Sequence, residues 1–233
     1  MFYFWFDPTM ILLIPGIIIA LWAQINVNAA FNRYNKVKSH SGLTGADVAQ
    51  RVLHDHGIYD VKVERVAGNL SDHYDPRTNT IRLSDSTYSS TSIAAAGVAA
   101  HEAGHAVQYA QSYAPIKIRN SIIPICNFGT PMAFIFLLIG FMVPEGSANV
   151  FIYIAVALYS LATIFQLITL PVEFNASRRA MASLERTGIY NEEELSGSAK
   201  VLRAAALTYV AALVSSLLSL LRFVLIANRG RRR

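Results

Sequence analysis

One cysteine, Cys126, is the entire thiol content of the chain, so no internal disulfide can brace it. It lies in an apolar run and reads as a small core or lipid-facing residue. Charge is also scarce. Asp, Glu, Lys and Arg make up 15% of the 233 residues, whereas a soluble domain carries about 25%. Internal repeats and low-complexity linkers are missing. The net charge of +5 is not arranged as a basic stripe interleaved with aromatics, which argues against a nucleic-acid surface. The basic residues lie beside apolar segments instead, the pattern of membrane topology. No apolar run contains paired acidic residues or histidines, which argues against a zinc transporter, whose ion sites sit inside the spans.

Apolar length is what the chain has in abundance. Hydrophobic residues make up 53%. Four runs carry no charge: Pro8 to Asn32, Ser121 to Pro144, Gly146 to Val172 and Ala204 to Leu221. A spanning helix needs about 20 apolar residues. The sequence therefore predicts a mostly α, integral membrane protein with about four hydrophobic helices. The start, "MFYFWFDP", has no basic residue and includes Asp7, unlike a cleaved signal peptide, so the first run reads as a retained anchor. Arg33, Lys36 and Lys38 follow it, which places the next segment in the cytoplasm by the positive-inside rule. "EGSAN" reads as the tight turn of a hairpin made by runs two and three. Residues 33–120 and 173–203 then share one membrane face. They hold ten and five of the twenty basic residues; Arg222 and the tail "RGRRR" hold the other five. A fourth span would carry that tail outside, against the rule. Spanning and interfacial placement of the last run both stay open.

The division expected is an N-terminal anchor at 1–32, an α+β unit at 33–120, a transmembrane hairpin at 121–172, a helix and connector at 173–203, and a hydrophobic helix with a basic tail at 204–233. In the α+β unit, "TGADVAQRVLHDHG" reads as a helix capped by Thr44 and stopped at Gly57. "VKVERV" alternates like a strand. "NLSDHYDPRTNTIRLS" reads as two strands joined by a turn at Asp75-Pro76. The Ala-rich stretch from Thr91 to Gln111 reads as helix, with Gly97 and Gly104 as tolerated small residues. "EFNASRRAMASLERTG" continues the third run as helix to Gly188. A further helix starts at "NEEEL", with Asn191 and Glu194 as a capping box.

The chemistry lies in "VAAHEAGHAVQYA". His101 and His105 are four apart, on one face of a helix. Two imidazoles so placed can hold one Zn²⁺. Glu102 follows the first histidine, at a reach suited to a metal-held water rather than the metal. That water needs a general base. His-Glu-x-x-His is the zincin signature; the duller alternative is a structural helix with two satisfied core histidines. Gly104 keeps the helix slim where another element must approach. A catalytic zinc takes three protein ligands and an open position, and no third histidine follows at the metzincin spacing. Glu173 is the best third candidate. It is the first charged residue after the third run, brought back by the hairpin to the face of His101; the plainer alternative is a carboxylate marking the membrane interface.

"VAAHEAGHAVQ", "LPVEFNASRRA" and "DHYDPRTNTIRLS" together resemble the YugP-like membrane zinc metallopeptidases, a bacterial neutral zinc metallopeptidase family. The likeness runs from the first apolar run to "AAALTYVAALVSSLLSLL". A more distant likeness is to HtpX-type membrane proteases and prenyl-protein endoproteases, whose third zinc ligand is the Glu of a Glu-x-x-Ala-Asp pattern. Glu173 and Ala176 match that pattern. Ser177 replaces the acid, so it can hydrogen-bond a ligand histidine but supplies no charge. The resemblance implies a small zincin-like (gluzincin) catalytic unit at the membrane surface. It implies a zinc metalloendopeptidase acting on peptides or membrane proteins from the cytoplasmic side of a multi-pass cell-membrane protein.

Other polar residues have two readings each. His73 and Tyr74 precede the strand expected at 79–83. An edge strand beside a metal helix binds peptide by strand addition in zincins, and either side chain could donate to an oxyanion; a turn histidine and a packing tyrosine is the alternative. His40, His54 and His56 read as surface or cap residues. Arg178 and Arg179 suit a carboxylate or a lipid headgroup, or simply a solvated pair. A rival function is a non-catalytic membrane scaffold or partner subunit with a structural zinc site. Such a closed site needs a fourth ligand, for which Asp72, His73 or Asp75 would serve.

Overall fold

The structure is a computed structural model that describes residues 8–230. The N-terminal stretch 1–7 and the arginines at 231–233, used above for orientation, lie outside the described residues. A 3-10 turn, Pro8–Leu12, leads into α1 (Leu13–Tyr34). Then follow α2 (Gly45–Asp55), β1 (Lys62–Val66), β2 (His73–Asp75), β3 (Thr80–Ser84), a single-turn α3 (Asp85–Tyr88) and α4 (Ile93–Ala110). Three long helices complete the chain: α5 (Ala114–Met142), α6 (Glu145–Arg186) and α7 (Glu192–Gly230).

Local signals set many of these ends. Thr44 accepts from the Asp47 backbone N–H, and Asp47 accepts in return from the Thr44 N–H, a full capping box. Gly57 stops α2 at φ +71°, and Gly188 follows α6 at φ +62°. Asn191 and Glu194 cap α7 reciprocally, each bond 2.9 Å.

The structure corrects three expectations. The hairpin turn is at Val143 and Pro144, and "EGSAN" already belongs to α6. Pro144 has no N–H to extend α5, while its carbonyl accepts from Ser147 and Ala148 and so starts the next helix. The helix beginning at "NEEEL" and the last apolar run are one continuous helix, α7. Gly197 within it does not break it. A methyl there would sit 2.9 Å from Ile93 and 3.0 Å from Tyr34, so the glycine serves a close approach. Finally, the strand expected at 79–83 is not an edge. β3 lies between β1, parallel to it, and β2, antiparallel to it with His73 opposite Arg82. A strand buried on both faces is the natural centre of a sheet: Ile81 and Leu83 are buried on one face, Thr80 and Ser84 on the other.

The fold comprises two compact units. One is made of the described residues up to Ala23, Ile118–Leu170 and those from Thr208 onward. Its core joins Ala133 and Leu137 of α5, Ala155 and Tyr159 of α6 and Phe223 of α7. Thr163 and Ser216 pair their hydroxyls at 2.8 Å there, satisfying each other in apolar surroundings. Four helical segments are long and apolar enough to cross a membrane: Pro8–Tyr34, Ala114–Met142, Ser147–Arg186 and Glu192–Asn228. The last therefore has the length to span. Ile14, Ile17, Ile18, Leu21, Trp22 and Ile25 are all more than half exposed on α1. So large an outward apolar face fits lipid and not a soluble surface.

The second unit is Gln24–Lys117 with Pro171–Leu207. Its core packs α2 and the sheet against α4, with Ala180 and Leu184 of α6 and Leu202 of α7. Helix α4 is the axis of this unit, with fourteen of its eighteen residues buried. Its alanines and glycines make it thin enough to be surrounded.

Candidate metal centre

His101 and His105 sit in the second half of α4, and Glu173 sits on α6, two residues after Pro171. Gly104 brings the two helices together. A methyl group at that position would lie 2.7 Å from the Ala176 carbonyl oxygen, closer than backbone tolerates. The gap that glycine leaves admits the α6 turn that carries Glu173.

The ligand atoms of His101, His105 and Glu173 all lie within 4.8 Å of one another. Glu173 Oε2 is 3.2 Å from His101 Nε2 and 3.6 Å from His105 Nε2. The two imidazole planes are 81° apart with centroids 4.8 Å apart, so their nitrogens converge without the rings stacking. Among the described residues, no fourth His, Cys, Asp or Glu joins the group. Burial pushes the His105 imidazole towards its neutral form, but the hydrogen bond and charge of Glu173 outweigh it, and its pKa ends above the ordinary value. With its two nitrogens and one carboxylate oxygen, the trio suits a divalent zinc.

Glu102 is not one of the three donors, but its charge reaches the His105 imidazole. It is 8% exposed, and its carboxylate has no ion pair or side-chain hydrogen bond. Ser177 Oγ lies 3.1 Å from His101 Nδ1, the contact the sequence suggested. His73 and Tyr74 are not gathered into this group. Tyr74 donates its hydroxyl to Asn79 at 2.8 Å and packs edge-on against Tyr109. Burial, with Tyr109, Asp60 and Asp75 nearby, pushes its phenol up to about 12. His73 donates from Nδ1 to the Ser71 carbonyl. Asp72 accepts from the Ser84 backbone and hydroxyl. Asp75 accepts from the Arg77 N–H, Thr78 and Arg82, the first of which chiefly holds its carboxyl below the usual range. His56 caps α2 by donating to Val52, and His40 meets Glu194.

Sequence reasoning missed two residues. Gln108 is fully buried and lies 3.0 Å from His105 Nδ1. It also reaches the Val172 carbonyl and Asn175 on α6, both at 2.9 Å. Its signal was available, since it stands three residues after His105 on the same helix face. The bond from Gln108 to Asn175 had none, because the two are 67 positions apart. Arg179, read as solvated or ligand-binding, donates to Asn175 at 2.7 Å and to Gln111, and lies over the Tyr113 ring.

A family described as "Putative neutral zinc metallopeptidase" matches residues 9–228. The chain belongs to this neutral zinc metallopeptidase family. The match takes in α4 and α6, and thus both parts of the cluster. The chain is also 47% identical over 220 residues to the "Putative membrane protease YugP" of Bacillus subtilis (strain 168), covering 94% of this chain and 96% of that one. No solved structure matches it. Membership in the zinc family agrees with the donor set found here, and the four apolar helices agree with the membrane placement of the relative.

Proposed function

We propose that this chain is a multi-pass membrane zinc metalloendopeptidase with a gluzincin-type site, acting on peptides or membrane proteins at the cytoplasmic face. The observation that carries the reading is the convergence of three donor side chains, with the Glu102 carboxylate next to them in sequence and within electrostatic reach of His105. Three protein donors leave a position open, as hydrolysis requires and a closed structural site does not. His101, His105 and Glu173 would hold the zinc. Zinc in that place supplies electrophilic polarisation of the scissile carbonyl and acidifies a water.

The chain's own residues do the rest. Glu102 accepts the proton of the attacking water and returns it to the departing amine. Its freedom from other hydrogen bonds leaves both oxygens available for that transfer. Ser177 and Gln108 hold the outer nitrogens of the two histidines, so the inner nitrogens face Glu173. Purified chain, stripped by chelator and then given back zinc, is the test. Hydrolysis of a denatured protein substrate such as casein should vanish with the metal and return with it. Hydrolysis that is indifferent to chelation contradicts the reading.

A further inference from the structure

Gln108 donates and accepts at once, and the directions of its bonds follow from chemistry. The Val172 carbonyl can only accept, so the Gln108 atom 2.9 Å away must be its NH₂ group. Asn175 Oδ1 accepts from the same NH₂ group. It also accepts from Arg179 Nε, which can only donate, and this fixes the orientation of the Asn175 amide. The remaining Gln108 atom, Oε1, is an acceptor 3.0 Å from His105 Nδ1, so Nδ1 carries the hydrogen. In the neutral imidazole, the form that binds a metal, the lone pair of His105 is then on Nε2, the nitrogen nearest Glu173.

We propose that Gln108 is a positioning residue that fixes the tautomer of His105 and ties the His101–His105 helix to the α6 turn bearing Glu173. Val172 is the immediate neighbour of Glu173, so one amide spans both halves of the cluster. Arg179, through Asn175, locks the far end. This rests on the zinc reading above and deepens it. Outer hydrogen bonds of this kind hold a ligand imidazole in one orientation and raise its basicity.

The test uses the full chain in detergent. Zinc-loaded protein with ¹⁵N-labelled histidine should show zinc on His105 Nε2 and hydrogen on Nδ1; the reverse assignment overturns the proposal without any variant. Zinc affinity is then measured by chelator competition. Gln108→Met, close in shape but unable to hydrogen-bond, should weaken zinc binding by about 10–100-fold. Gln108→Glu, which still accepts from Nδ1 but cannot donate to Val172 or Asn175, should recover part of that loss. A mere packing role predicts the opposite order, since Met fills a buried space better than a carboxylate does. Unchanged affinity in Gln108→Met overturns this proposal alone. An unmodified chain that binds no zinc overturns it together with the metallopeptidase reading.

Discussion

A carboxylate as buried as Glu173, 1% exposed, persists in an apolar fold only where positive charge or hydrogen bonds meet it. Here the meeting point is two imidazoles. Purified chain should therefore carry about one zinc, and Glu173→Ala should lose most of it, as read by metal analysis; full zinc retention would remove Glu173 from the set. Asp75 offers a separate check on the turn between β2 and β3. Its carboxyl is held below the usual range, first by the Arg77 N–H. A depressed value means the ionised form is favoured by the fold. The contribution is thus present above the ordinary value of 3.8 and is lost as pH falls through the lower folded value. Denaturation midpoints of Asp75→Asn and the unmodified chain should converge in that acid range. At this scale the sequence was most legible where partners are close along the chain. His101, Glu102 and His105 share one helical turn, so their spacing carried the chemistry. Gln108, Asn175 and Arg179 form a network across two helices, and only the fold brings it together.

Helix α4 shows what an element must give up to hold such a site. Its small residues contribute little side-chain burial each, yet they let the sheet, α2 and α6 approach. Gly104 is the tightest of these points on α4, and Gly104→Ala should force α6 outward against the Ala176 carbonyl. Overpacking of this kind costs about 1–3 kcal/mol, and the same shift moves Glu173. A lower melting temperature together with weaker zinc binding is expected; a fully tolerated alanine would mean the helices are not in this register. Caps were legible because they are local: Thr44, Gly57, Asn191 and Gly188 each end or begin a helix as their types require. Strand order was not legible. Whether β3 is an edge depends on pairing across the sheet, which alternation within one strand does not encode. Continuity of α7 was missed because the division was drawn where the uncharged run begins, and a change of composition does not end a helix.

Across the whole molecule, apolar run length announced about four membrane helices, and the described residues contain four helices long and apolar enough to span. Orientation is carried by the basic residues that flank them. Cysteines placed at Asn69 and Ser196, in a Cys126→Ser background, should resist a membrane-impermeant thiol reagent applied to intact cells. Labelling of both would invert the topology, and labelling of one would separate segments that pack in one unit. The central claim, that this cluster hydrolyses peptide bonds, meets its most direct test at Glu102. Glutamine keeps the size of the side chain but takes no proton at neutral pH. Zinc content and cleavage rate are measured on the same Glu102→Gln preparation. The account predicts unchanged zinc with a rate lower by about 10²–10⁴-fold; cleavage at the unmodified rate with zinc intact would contradict it.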